Sequence, residues 1–173
     1  MSGKTSNPSE LRDKLDSLIA CFHDKKATRF QMEEGIQAIL EWKQANNIPG
    51  LWDPPLVMVT ATLDDAMGHG LDLIHQYAEA VGLELVKLGL LQSPDHIIQA
   101  CHDKNARVLG LTVLQQFSDE DAVRIGRSIP ENTLFIAGGA AFLFDPDLAE
   151  EARVDYVAKD ALAFLQYLLK SLK

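Results

Sequence analysis

From Leu56 onward the chain alternates short apolar runs with longer segments of helical periodicity, and this alternation restricts the available folds more than any other feature. Leu56-Val-Met-Val-Thr60 is a compact, β-branched and apolar run behind Pro54-Pro55, and it reads as a buried strand. Gly70 then opens a helical pattern with Leu71, Ile74, Tyr77, Ala78 and Val81, which Gly82 stops. The same reading predicts further strands near 84–88, 107–112, 133–137 and 154–158, with helices near 94–103, 119–128, 146–151 and 160–172. Ser118 with Asp121 has the form of a helix-capping box at the start of one of these helices. Strands separated by helices cannot pair as hairpins, so they form a parallel sheet covered on both faces.

Ahead of that alternation lie two amphipathic segments. One carries Leu11, Leu15, Leu18, Ile19 and Phe22, the other Phe30, Met32, Ile36, Ile39, Leu40 and Trp42. Ala45-Asn-Asn-Ile-Pro-Gly50 ends the second, and Leu51-Trp-Asp-Pro-Pro55 is a stiff connector. The expected organisation is a helical pair over residues 1–50 and an α/β domain over 51–173. That domain is expected to be flavodoxin-like, a doubly wound five-stranded parallel sheet of order 2-1-3-4-5. Leu51 and Trp52 either seal the helices onto the domain or cover a bound ligand.

Composition removes several functions. With 25 acidic against 16 basic residues and a net charge of −9, the chain offers no basic cluster for nucleic acid or an anionic membrane. Its amino terminus is polar, and the most apolar stretch, Leu134 to Phe144, is too short and glycine-rich to span a bilayer. A cytoplasmic location is the expectation. Cys21 and Cys101 fall in separate helices without metal-type spacing, which predicts reduced, partly buried thiols. His23, His75, His96 and His102 lie on or beside helices and are expected mostly to face solvent.

Three motifs fall at the carboxyl ends of three different strands, where open α/β sheets bind ligands. They are Asp65-x-Met67-x-x-Gly70, Thr112-x-Leu114 and Gly138-Gly139. A fourth piece, Ala152-Arg-Val-Asp155-Tyr-Val-Ala158-Lys-Asp160-Ala161, closes the domain. In this order the pieces resemble the cobalamin-binding domain of methionine synthase, methylmalonyl-CoA and glutamate mutases and corrinoid methyl-carrier proteins. That family carries Asp-x-His-x-x-Gly, Ser-x-Leu and Gly-Gly. The resemblance covers roughly residues 55 to 172 and implies a cobalamin cofactor. Its nucleotide tail would pass between sheet and helices beside Gly70, Gly138, Gly139 and Ala140, with Thr112 in the position of the family's serine and Leu114 in apolar contact. Asp65, Met67, Gly68 and His69 would lie in the loop below the corrin.

The histidine that ligates cobalt in long-looped members is here Met67. Four arrangements remain open: His69 ligates the metal; Met67 packs under the corrin as an apolar spacer with the tail base detached; the tail base stays on cobalt; or the cofactor is lost and the fold persists as an interaction module. Other sites of the same fold are excluded. Asp64-Asp65 and Lys159 echo a phosphorylation receiver, but the third strand ends in Leu-Thr-Val-Leu without a phosphoacceptor aspartate. Gly68-His-Gly70 lacks the third glycine of a dinucleotide fingerprint. The resemblance thus implies a corrinoid carrier or accessory subunit of a methyl-transfer system, or alternatively a cobalamin- or tetrapyrrole-responsive sensor. The implied partner is a separate methyltransferase or regulatory protein, with a homodimer through the N-terminal helices as a further option.

Overall fold

The computed structural model describes residues 7–65, 70–115 and 118–172. Helix α1 (Pro8–Phe22) begins where the Asn7 side chain accepts the Ser9 and Glu10 backbone N–H groups at 2.9 and 3.1 Å. Helix α2 (Arg29–Ala45) begins with a reciprocal capping box: the Thr28 hydroxyl accepts the Gln31 N–H at 3.2 Å, and the Gln31 side chain accepts the Thr28 N–H at 2.9 Å. Such caps satisfy donors that a helix end leaves orphaned and contribute ~0.5–2 kcal/mol each.

The α/β part follows as β1 (Val57–Thr62), α3 (Gly70–Val81), β2 (Glu84–Gly89), α4 (Pro94–Asp103), β3 (Val108–Thr112), α5 (Asp119–Ser128), β4 (Leu134–Gly138), α6 (Ala141–Phe144), α7 (Leu148–Glu151), β5 (Tyr156–Val157) and α8 (Ala161–Ser171). All pairings are parallel and the order is β2-β1-β3-β4-β5, as the alternation requires. Register aligns Met58, Val108 and Leu134 in one row across the central strands. The next rows on that face are Thr60, Gly110, Ile136 and then Thr62, Thr112, Gly138 at the carboxyl edge.

Because successive strand residues point to opposite faces, the two faces feed two separate cores. Val59, Leu109, Leu111, Phe135 and Ala137 pack with Ile97, Cys101, Ala122 and Ile125 of α4 and α5. Met58, Val108 and Ile136 pack with Tyr77 of α3 and Phe164, Leu165 and Leu168 of α8. Leu11 and Leu15 of α1 and Ile36 and Ile39 of α2 join this second core, so the helical pair shares its apolar interior with the sheet domain. The Lys43 ammonium donates to the Glu79 carbonyl at 2.5 Å, tying α2 to α3. Burial lowers the Lys43 pKa, while nearby Glu79 opposes that shift.

In the connector, the Leu51 N–H donates to the Val81 carbonyl at 2.9 Å. Val81 ends α3, so this contact lies at the amino edge of the sheet, and Leu51 and Trp52 pack against the shared core. They seal the helices onto the domain, away from the carboxyl edge.

Several local expectations change. The Ser118 side chain makes no capping bond, because its backbone (φ −101°, ψ 10°) lacks the extended geometry that aims a capping hydroxyl. Strand β5 is shorter than the expected 154–158, since Arg153 turns at φ 54° and Val154 is held in that turn by Ala149. Helix α6 was not expected. Cys21 is exposed, while burial pushes the Cys101 thiol up to about 12; both thiols are free. His75 does not face solvent: it is 9% exposed and its Nε2 lies 2.9 Å from the Thr60 hydroxyl. Among the described residues no helix is long and apolar enough to cross a membrane.

Candidate functional site

On the face served by α3 and α8, the central strands change character along their length. Met58, Val108 and Leu134 fill the amino half, whereas Thr60, Gly110, Thr62, Thr112 and Gly138 occupy the carboxyl half. The bulk missing from the second half leaves a cavity of about 200 Å³ between the strand ends, the first turns of α3 and the start of α8. A single water needs only ~10–15 Å³, so the space suits a larger guest. Its walls are mostly carbon: Leu71 and Ile74 from α3, Met58 and Ile136 from the sheet, Phe164 from α8.

The glycines around it divide into two kinds. Gly139 has φ +109°, and a Cβ there would stand 2.2 Å from the Val113 carbonyl oxygen, so the turn itself demands glycine. Gly138 is different. A Cβ at Gly138 would meet only the Ala158 carbonyl at 3.5 Å, and one at Gly70 would meet nothing within 4 Å. Neither backbone position needs glycine for the fold, and both line the cavity. Gly110 forms the floor, where a Cβ would come within 2.7 Å of the Met58 methyl.

Thr112 lines the cavity, and no described residue hydrogen-bonds its hydroxyl. Leu114 also lines it, and its N–H donates at 2.8 Å to Asp64 Oδ2, which takes the Gln115 N–H at 3.0 Å as well. Asp64 is 4% exposed and thereby ties the end of β1 to the end of β3; its Oδ1 has no partner among the described residues. Asp65 is exposed, outside the cavity, and accepts from the Gln115 side chain at 3.3 Å. Ala140 precedes α6 and is not part of the cavity wall. Met67, Gly68 and His69 lie outside the described residues. Gly70, Thr112, Leu114, Gly138 and Gly139, far apart in sequence, are thus brought around one space, while Asp65 and Ala140 stand beside it.

The sequence did not assign Met58, Ile74, Gly110, Asp64 or Phe164 to the site. The first three and Phe164 look like ordinary core positions, and only the Asp64-Asp65 doublet carried a signal. At the mouth of the cavity, Lys159 and Asp160 are exposed, and Asp160 accepts the Ala163 N–H at 2.7 Å as the cap of α8. Tyr77, on the same face of α3 as Ile74, is fully buried with a hydroxyl that has no partner among the described residues, and burial with help from Asp160 pushes its pKa up to about 12. No group of three or more metal-ligating side chains occurs among the described residues. The chemistry on offer is therefore reception: a mostly apolar cavity at the carboxyl edge of the sheet, with the Thr112 hydroxyl in its wall and Lys159 and Asp160 beside it.

Comparison with known proteins bears on the family and the fold. The sequence model of the B12 binding domain matches residues 55–164, more than half of the chain. No curated protein sequence matches. Among solved structures, a novel cobalamin-binding protein from Desulfitobacterium hafniense DCB-2 superposes with a TM-score of 0.73 at 13% identity, covering 95% of this chain and 78% of the other. A monomethylamine corrinoid protein from Methanosarcina barkeri gives 0.61 at 19% identity, covering 82% and 66%. The methanol:cobalamin methyltransferase complex MtaBC from the same organism gives 0.68 at 15%, covering 95% and 67%. At these identities the structures speak to fold, and the family match carries the assignment. The chain belongs to the B12-binding domain family, and its cofactor is a corrinoid, cobalamin.

Proposed function

We propose that the chain is a corrinoid carrier or accessory subunit of a methyl-transfer system, working with a separate methyltransferase. The observation that carries this reading is the cavity lined by Gly70 and Gly138, two glycines that the backbone does not require. In this proposal the nucleotide tail enters between β3, β4, α3 and α8. Gly138 leaves room for it above a floor of Gly110 and Met58; Ile74 and Phe164 give apolar contact, and the Thr112 hydroxyl pairs with a polar edge of the base. Asp64 holds the two strand ends together, so that the walls keep their spacing without the guest.

Bound, the corrinoid supplies a cobalt centre able to accept and pass on a methyl group; the protein binds it, orients it and shields it. The finer reading concerns Met67. It stands where the family's histidine ligates cobalt, and a thioether is a weak donor for that metal. We take Met67 as an apolar spacer below the corrin, with the tail base detached and no histidine on the metal. The names of the two Methanosarcina proteins favour methyl transfer over sensing, since one is a corrinoid protein and the other a methyltransferase complex.

The test is the absorption spectrum of the hydroxocobalamin complex after gel filtration, for native protein, Met67→His and His69→Ala. Expected are a detached-base spectrum for native protein, a histidine-ligated one for Met67→His and no change for His69→Ala. A spectral shift in His69→Ala contradicts the spacer reading. Absence of retained corrinoid in all three contradicts the carrier reading.

A further inference from the structure

One buried polar contact joins the α3 wall of the cavity to the sheet beside its floor. Thr60 stands in the row Thr60–Gly110–Ile136, whose other two members line the cavity. Its methyl lies 3.4 Å from where a Gly110 Cβ would stand, and its hydroxyl meets His75 Nε2 on α3 at 2.9 Å. His75 directly follows Ile74, and Gly70 and Leu71 lie about one turn earlier; those three residues form the α3 side of the cavity. Thr60 is 1% exposed and His75 9%, so water competes little for the bond.

Other ties of α3 fall in its second half: Lys43 on the Glu79 carbonyl, Lys87 on the Glu79 carboxylate and Leu51 on the Val81 carbonyl. Among the described residues, no other hydrogen bond anchors the Gly70–His75 stretch to the sheet. The contact also responds to acid. Burial, then Lys87 on β2, opposes a positive ring, against weaker support from Asp72 and Glu79 on α3 itself. Lys43 of α2 is bound to the Glu79 carbonyl, and Asp160 ahead of α8 acts on Tyr77. A ring that gains a proton is therefore driven toward water, away from Thr60.

Resting on the reading that the tail occupies this cavity, we infer that His75 is a positioning residue for the cofactor. Its bond to Thr60 holds the first turns of α3 at the distance from the sheet that the tail requires, and acid releases them. A wall that is in place in only a fraction of molecules lowers the apparent affinity by that fraction.

Calorimetric titration of the full chain with cyanocobalamin, and with cobinamide, which has no nucleotide tail, tests this at pH 7.5 and 5.5. The proteins are native, His75→Gln, which keeps a donor for Thr60 but does not titrate, and His75→Leu, which keeps bulk without the bond. For cyanocobalamin, native protein should lose about tenfold in affinity at the lower pH, His75→Gln should lose none, and His75→Leu should bind weakly at both. Cobinamide should bind all three alike. An unchanged native affinity, an equal loss in His75→Gln, or native-like binding by His75→Leu overturns the inference while the tail reading stands. Should His75→Leu not fold, the native and His75→Gln profiles decide. If native protein binds cobinamide as tightly as cyanocobalamin, the tail is outside the cavity, and the inference falls with the reading beneath it.

Discussion

The two faces of the central sheet share a backbone and a register, yet they are built for different tasks. Toward α4 and α5 the rows Val59–Leu109–Phe135 and Ala61–Leu111–Ala137 are apolar along the whole strand length and fully packed. Toward α3 and α8 the fully apolar rows stop after the first: the next is Thr60–Gly110–Ile136, with one apolar member, and the last, Thr62–Thr112–Gly138, has none. A closed face gives stability, whereas a face left incomplete at one end gives a slot. The difference lies in which of two interleaved sets of residues keeps its side chains.

Substitutions can break that contrast, and the closed face should respond most strongly. Phe135→Ala removes a ring that is 1% exposed there and is expected to cost ~3–5 kcal/mol, read by urea denaturation. A smaller loss would mean the closed face is not the stabilising one. Next, Gly139→Ala places a side chain at positive φ against the Val113 carbonyl and should cost about 2–3 kcal/mol, while Gly138→Ala, one residue away, should stay within about 1 kcal/mol of native. Equal losses would erase the distinction between turn glycine and cavity glycine.

Acid should act on the α3 side. Burial, then the charge of Lys87, lowers the His75 pKa below its ordinary value of 6.5, so the folded state favours the neutral ring. The associated stability is complete above pH 6.5 and is lost as pH falls through the lowered value. Denaturation midpoints should therefore drop between pH 7.5 and 5.5, and by less in His75→Gln; an equal drop would assign the effect to other groups. The smallest change belongs to Tyr77→Phe. Deleting a buried hydroxyl that has no partner among the described residues should leave stability unchanged or raise it by ~1 kcal/mol, and a clear loss would reveal a partner.

Fold and site differed in how far they could be read from sequence. Alternating apolar runs and helical segments suffice for the sheet order, because parallel pairing and right-handed crossovers leave few arrangements. Helix α6 has four residues, too few to show a period, and β5 is cut short by a turn that no proline or glycine announces. His75 misled because α3 is buried on more than one side, with His75, Tyr77, Ala78, Ala80 and Val81 all buried, so a polar residue on it need not face water. At the site, Thr112 and Gly138 were legible through their order along the chain. Gly110 was not, since a glycine inside an apolar strand carries no mark of the Met58 methyl that packs over it or of the cavity beside it. Asp64 and Asp65 are neighbours of the same type, and only burial separates the one that ties β1 to β3 from the one that faces solvent.

The most direct test of the incomplete face is to complete it. Gly138→Leu, whose side chain would project into the cavity from a backbone that tolerates it, should melt within a few degrees of native protein. Titrated with hydroxocobalamin by absorbance, native protein should bind saturably, and the variant should bind at least a hundredfold more weakly. Equal binding by the two, with the variant folded, would contradict the placement of the cofactor tail in this cavity.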